Sequence, residues 1–258
     1  MLLDALAALE GHLDNLILVG AQAVYHHAGE SDLNVPLLTT DGDLAINTRD
    51  LAEVPEIGRE VRQAGYTPGP NPGHWVTIGD VAADLMVVPH QAGTTKASAR
   101  ASRLSPHEKL TARIARGLEP ALIDNEHVTI GALEPGDPRT FELRVAGPAA
   151  MLTAKAIKIS ERLDQAETQA RPACQGVRRA RRFRLLQAID TLDLVLGFAV
   201  HREDELAAGV TAEAIEVYRT HASTQQGRMA LLAASAAQGN PTATPALAAL
   251  VTDLLSAL

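Results

Sequence analysis

Leu38-Thr39-Thr40-Asp41-Gly42-Asp43-Leu44-Ala45-Ile46 is the stretch around which the rest of the chain can be read. In an extended strand, alternation puts Asp41, Asp43 and Ala45 on one face and Leu44 and Ile46 on the other. Two like charges then share a face. A strand carrying such a pair neutralises it with a cation, and oxygen-only ligands suit Mg²⁺ or Mn²⁺. The competing reading of Asp41-Gly42-Asp43 is a turn with its acids in water. The flanking sequence decides between the two.

Upstream, Leu2, Leu6, Leu9 and Leu13 recur at helical spacing, which predicts an amphipathic helix over residues 2–13. Leu16-Ile17-Leu18-Val19 reads as a short buried strand, and Gly20-Ala21 turns it into a second helix through Ala23, Val24 and Tyr25. Such a junction leaves the N–H groups of a helix start beside a glycine that lets a ligand approach, a ready place for phosphate. Downstream, after a loop over residues 30–37 and the acidic strand, Asp50-Leu51-Ala52-Glu53 has the form of a capping box. It predicts a helix with Leu51, Val54, Ile57 and Val61 inward, ended by Gly65. Residues 66–73 read as loop. Residues 74–78 and 81–88 read as a hairpin joined by the two residues Gly79-Asp80. Asp84 sits inside the apolar second strand, where an unpaired charge is costly. A structural salt bridge would account for it alone, but beside a carboxylate pair a third metal-binding or catalytic acid is the stronger reading.

Further along, Ser105-Pro106-His107-Glu108 forms a second capping box, predicting a helix closed by Gly117 with Lys109, Arg113 and Arg116 on a basic face. Residues 127–133 and 140–145 read as strands, and beyond Pro148 the pattern is helical. Residues 171–184 hold six arginines and no acid in a chain whose net charge is −8. They are either a solvated loop or a grip on an RNA backbone through Arg178, Arg179, Arg181 and Arg182, with few aromatic side chains to stack bases. The neighbours His26 and His27 point about 100 degrees apart on a helix and would not converge on one ion. His74, next to Trp75 near the hairpin, reads either as a pocket-lining residue or as an ordinary, partly exposed histidine, the second being the preferred reading.

At 258 residues and 46% hydrophobic content the chain can bury a sizeable core. The acidic balance argues against a protein that coats nucleic acid without specificity. A single cysteine, Cys174, excludes an intrachain disulfide and fits a reducing cytoplasm. Residues 1–6 lack the cationic start of a signal peptide, and no apolar run is long enough to span a bilayer.

Taken together, Leu18-Val19-Gly20-Ala21-Gln22-Ala23-Val24-Tyr25, Thr39-Thr40-Asp41-Gly42-Asp43-Leu44 and the later Asp84 resemble the nucleotidyltransferase superfamily with its polymerase-β-like core. The finer likeness is to the AbiEii-type enzymes, which include MenT-type toxins. Residues 145–155 resemble that family's helix bearing a nucleotide-contacting lysine, here Lys155, and residues 189–194 its late aspartate motif, here Asp190. The likeness spans residues 1 to about 200. It departs from the family pattern at Ala21, Leu37 and Ile189.

The resemblance implies an α/β fold, a nucleotidyltransferase-like mixed sheet flanked by helices over residues 1–145 and a mainly helical region over 146–258. It implies transfer of a nucleoside monophosphate from an NTP to a hydroxyl. Asp41, Asp43 and Asp84 would hold Mg²⁺ or Mn²⁺, Gly20 and Ala21 would cradle phosphate, and Lys155 and Asp190 would serve the nucleotide. The implied acceptor is the tRNA 3′ end, in a toxin with a cognate antitoxin. The alternatives are a small-molecule, aminoglycoside-type acceptor and a nucleotide-binding pseudoenzyme.

Overall fold

Four consecutive apolar residues, Leu16–Val19, form a strand buried at every position, β1, from which the rest of the sheet is laid out. The computed structural model describes residues 2–29, 41–96, 98–132, 134, 136–169, 181–236 and 240–258. Among these the sheet adds β2 (Asp41–Ile46), β3 (Thr67–Pro68), β4 (His74–Val76), β5 (Ala82–Val87), β6 (Arg113–Ile114), β7 (Asn125–Gly131) and β8 (Thr140–Ala146). Their order is β3-β4-β5-β2-β1-β8-β7, with β6 beside β5. β1 is antiparallel to β2 and parallel to β8, and β2 is parallel to β5, so the sheet is mixed. The fold is α/β.

Register gives the sheet two unlike faces. On one lie Leu16, Leu18, Leu44, Ile46, Trp75, Leu85, Val87, Leu143 and Val145, all buried. Each contributes about 1.5–3 kcal/mol by leaving water. The helix α1 (Leu2–Ala8) lies over this face, with Leu2 Cδ1 3.3 Å from where a Cβ on Gly42 would stand. The other face carries Asp41, Asp43, His74, Asp84, Arg113 and Arg144, all half-buried. A slip of one residue would exchange the two sets, so the apolar face fixes where the carboxylates point.

The chain divides into two units: Met1–Ala23 with Leu38–Ala146, and Val24–Leu37 with Gly147–Leu258. The sheet lies in the first, and the boundary falls inside the helix α2 (Gly20–Ala28). The second unit is helical: α4 (Pro148–Gln169), α5 (Arg181–Ala188), α6 (Thr191–Glu203), α7 (Ala208–His221), α8 (Arg228–Ala236) and α9 (Ala243–Ala257). Leu152, Ala156, Ile157, Phe198, Tyr218 and Val251 build its core, and the Tyr218 hydroxyl donates to the Leu152 carbonyl at 2.9 Å. No helix among the described residues is long and apolar enough to cross a membrane.

Four local expectations give way to tertiary contacts. α1 stops at Ala8, and a 3₁₀ turn over Glu10–Asn15 follows because His12 turns inward, its Nε2–H donating to the Pro55 carbonyl at 2.7 Å. No helix opens at Asp50, whose φ of 60° is unlike that of a capping residue, and Pro55 would sit inside the expected helix without an N–H. The helix α3 (Ile57–Gln63) starts instead from Glu56, whose carboxylate accepts from the N–H groups of Gly58 and Arg59, and Val54 is left 74% exposed. Nor is residue 105 a helix start. Its expected partner Glu108 donates its N–H to Glu56 and its carboxylate accepts from Arg62, so residues 105–112 are spent on packing against α3. Lastly, the hairpin turns around Thr77–Asp80, closed by Asp80 N–H to Thr77 O, with Asp80 at φ 56°. That longer connection pairs His74 with Asp84, where a two-residue turn would have paired it with Leu85.

His107 is held in one protonation form. The Ile57 N–H donates to its Nδ1 at 3.2 Å, and its Nε2–H donates to the Ala52 carbonyl at 3.1 Å. Burial pushes its pKa below the ordinary 6.5, and His12, whose ring lies edge-on at 5.6 Å, pushes the same way against the pull of Glu56 and Glu53. As pH falls through 6.5 the unfolded chain therefore takes up the proton before the folded one does. The stability that neutral His107 confers is full above pH 6.5 and is lost below it, toward the lower folded value. Urea denaturation is expected to give a lower midpoint at pH 5.5 than at pH 7.5, with the difference reduced in His107→Gln. A midpoint that rises on acidification would contradict this placement.

Candidate functional site

β1 ends at Val19, opposite Asp43 on β2, and the chain turns at once into α2 through Gly20 at φ 76°. Glycine adopts this left-handed conformation without the penalty a Cβ brings. The turn also needs the space. An ideal Cβ on Gly20 would lie 1.9 Å from Asp43 Oδ2 and 2.5 Å from its Cβ and Cγ, so the Asp43 carboxylate stands against the bare Cα at the start of α2. Gln22, in the first turn of α2, reaches back from Nε2 to the Asp41 carbonyl at 3.4 Å. Ala21 is buried and presents no hydroxyl here.

Asp43 is paired in register with Asp84 on the parallel neighbour β5, and Asp41 with Ala82. In-register neighbours point the same way at a strand spacing of about 4.8 Å. Asp41, Asp43 and Asp84 thus share one face of two adjacent strands. Two basic side chains flank them. His74, directly opposite Asp84 on β4, donates from Nδ1 to Asp84 Oδ1 at 2.7 Å. Arg113, on β6 beside the far end of β5, brings Nη2 to 3.7 Å from Asp84 Oδ2 and 2.9 Å from Met86 Sδ. The first contact is a charge-assisted hydrogen bond, and the second is an ion pair too long for a direct one. All three side chains are between 19% and 29% exposed, partly screened from water.

Lys155 is half-buried on α4, and Asp190 caps α6, its carboxylate accepting the Leu192 N–H at 2.8 Å; both belong to the helical unit. Arg178 and Arg179 lie outside the described residues, as do the side chains of Arg181 and Arg182 at the start of α5. Arg184, from the same basic run, is buried with its guanidinium 5.6 Å from the Tyr25 ring. The His26 and His27 rings meet edge to face at 5.0 Å between centroids, nearer than their helical angle suggests.

Of the two basic residues beside Asp84, the sequence offers His74 only as the less favoured pocket-lining reading, and Arg113 not at all. His74 was separable from the background by its position across a hairpin from a misfit aspartate. Arg113 was hidden by the expected helix that does not form. No family model, no curated protein and no solved structure matches this chain.

Proposed function

We propose that the protein transfers a nucleoside monophosphate unit from an NTP to a hydroxyl acceptor, as its resemblance to the AbiEii-type nucleotidyltransferases implies. The observation that carries the proposal is the in-register pairing of Asp43 with Asp84, with Asp41 on the same face and the Gly20 turn pressed against Asp43. The donor set fits a hard cation, being carboxylate oxygen from two adjacent strands. Asp41 and Asp43 would hold Mg²⁺ or Mn²⁺, with Asp84 as the third acid of the cluster. The ion supplies charge neutralisation at the phosphates when bound. Backbone N–H groups at the start of α2 receive phosphate oxygens. Asp84 accepts the proton of the attacking hydroxyl as its oxygen bonds to the α-phosphorus; the bond from that phosphorus to the bridging oxygen breaks, its electron pair leaving with pyrophosphate.

The ion pairs of Asp84 favour one competing reading, a structural polar network in a nucleotide-binding pseudoenzyme. Incubation with each labelled NTP and Mg²⁺, with total RNA or an aminoglycoside as acceptor, separates the two. Label is expected in one acceptor, abolished by EDTA and lowered about 10²-fold in Asp43→Asn, the scale of losing one electrostatic stabiliser. A tRNA-sized labelled band would extend the resemblance to the toxins. NTP binding without label transfer under any condition would favour the pseudoenzyme.

A further inference from the structure

We propose that the acceptor is a nucleic-acid strand, gripped by its phosphates along a basic strip that residues 96–116 form on the β6 side of the three acids. The inference rests on the nucleotidyl-transfer reading and chooses between its acceptors. These residues hold six cations, Lys96, Arg100, Arg103, Lys109, Arg113 and Arg116, and one acid, Glu108, in a chain of net charge −8. Glu108 is already engaged: its carboxylate accepts from Arg62 at 2.6 Å and its N–H donates to Glu56. Lys96, Arg100, Arg103 and Lys109 are exposed, and none of the four has a carboxylate partner among the described residues. Backbone pairing gathers the strip. Ala101 bridges Arg113 in antiparallel fashion, the Ile114 N–H donates to the Arg100 carbonyl at 2.8 Å, and the Ser102 N–H donates to the Ala112 carbonyl at 3.1 Å, so residues 100–102 run along the edge of β6 away from β5. Next to them the Arg103 N–H donates to the Ala92 carbonyl at 2.8 Å, and the bare Gly93 packs on the Arg103 carbonyl, where a Cβ would lie 2.1 Å from the oxygen.

The strip reaches the acids at two points. Arg113 Nη2 is 3.7 Å from Asp84 Oδ2, and Arg100 Nη2 donates at 3.2 Å to Oδ1 of Asn71, whose carbonyl accepts the His74 N–H. Sheet order separates it from the place proposed for the donor. Met86 pairs with Ala45 of β2 and with Arg113 of β6, on opposite edges of β5, while the Gly20 turn leaves β1 beyond β2. The acids therefore stand between the helix start proposed for the NTP phosphates and the basic strip, and an in-line displacement needs the attacking hydroxyl and the leaving pyrophosphate on opposite sides. Charge decides which acceptor suits that side. An aminoglycoside is a polycation and would approach across like charges, whereas a phosphodiester strand releases counterions to the same cations. Residues 96–116 contain no Phe, Trp or Tyr, so the grip is on the backbone and not on stacked bases.

A 3′-hydroxyl oligouridylate of about 12 nucleotides, titrated into the full-length protein without NTP over a range of salt concentrations, tests the grip. Wild-type affinity is expected to fall with salt at a logarithmic slope of about 3 or more. The triple variant Lys96→Gln, Arg100→Gln, Arg103→Gln is expected to lower that slope by about 2 and to raise the dissociation constant about tenfold or more at about 0.1 M salt. A second triple, Arg49→Gln, Arg59→Gln, Arg219→Gln, removes the same charge outside the strip and is expected to keep the dissociation constant within about twofold of the wild type. Oligothymidylate of the same length is expected to share the wild-type slope, since neither sugar nor base is gripped.

Equal weakening by the two triples would overturn the strip, because net charge alone would then hold the strand. Binding confined to one of the two oligonucleotides would overturn a grip by phosphates, and a loss of NTP affinity as large as the loss for the strand would give the strip to the donor. If the strip variant fails to melt cooperatively, Arg103→Gln alone, expected to lower the slope by about 0.7, decides. Failure of this inference and failure of the transfer reading are distinct. Labelled transfer to an aminoglycoside by a protein that binds neither oligonucleotide removes the grip and leaves the reading; a strand bound through the strip with no transfer to any acceptor removes the reading and, with it, the strand's role as acceptor.

Discussion

Gly20→Ala is expected to end the proposed nucleotidyl transfer, with a loss of about 10³-fold or more, and to destabilise the sheet unit by a few kcal/mol. Two costs combine. A residue with a Cβ at φ 76° pays about 1–2 kcal/mol for the left-handed backbone. The methyl also meets Asp43 at 1.9 Å from Oδ2 and 2.5 Å from Cβ. Rotation about χ1 can move the oxygen away but leaves the Asp43 Cβ where it is, so relief requires β1 and β2 to part. Loss of one electrostatic stabiliser costs about 10²–10³-fold, and here the carboxylate and the helix start proposed to receive phosphate are displaced together. Gly42→Ala is the control. Its methyl would point to the apolar face, 3.3 Å from a flexible Leu2 Cδ1 and 3.9 Å from the Ala82 carbonyl, and is expected to cost under about 1 kcal/mol with transfer retained. Transfer rates measured beside melting curves check both variants. Wild-type transfer in Gly20→Ala would remove Asp43 from the chemistry.

The α/β class was legible because the apolar run Leu16–Val19, the Gly20 turn and the alternation in Asp41–Ile46 each follow from local stereochemistry. Local pattern does not carry partner identity across strands. The hairpin shows this most directly: one residue more in the turn replaces Leu85 with Asp84 opposite His74, and the site gains a basic neighbour. Two capping boxes misled for a related reason. Asp50 and Ser105 satisfy the pattern for a helix start, yet Pro55 forbids the first helix, and the hydrogen-bonding groups of Glu108 that would have served the second are used by Glu56 and Arg62. Tertiary hydrogen bonds of comparable strength overrode a preference worth about 1 kcal/mol. Arg113 consequently moved from an expected solvated helix face to a strand beside the acids.

The placement of Arg113 depends on Gly73, and Gly73→Ala is expected to be the most destabilising small substitution near the site, above about 4 kcal/mol. At φ 70° its Cβ would lie 2.2 Å from the Leu85 carbonyl oxygen, 2.5 Å from the Arg113 nitrogen and 3.0 Å from the Ala112 carbonyl carbon. Every one of these is backbone, so no side-chain rotation relieves the contact. Gly73 also donates its N–H to Leu110 and accepts from Leu85, tying the start of β4 to both β5 and the approach to β6. Moving it breaks those bonds and the pairing of Arg113 with Met86 together. Gly65→Ala separates strain from crowding, since Gly65 has φ 88° with nothing within 4 Å, and is expected to cost only about 1–2 kcal/mol. In thermal melts these amounts correspond to a fall of roughly 10 °C or more for Gly73→Ala and about 4 °C for Gly65→Ala. Equal falls would mean that the strands yield to the methyl and that closeness is not what fixes Gly73. Arg113→Gln, which leaves the backbone untouched, is then expected to melt near the wild type, so that any effect it has on transfer belongs to the guanidinium beside Asp84 and not to the strand that carries it.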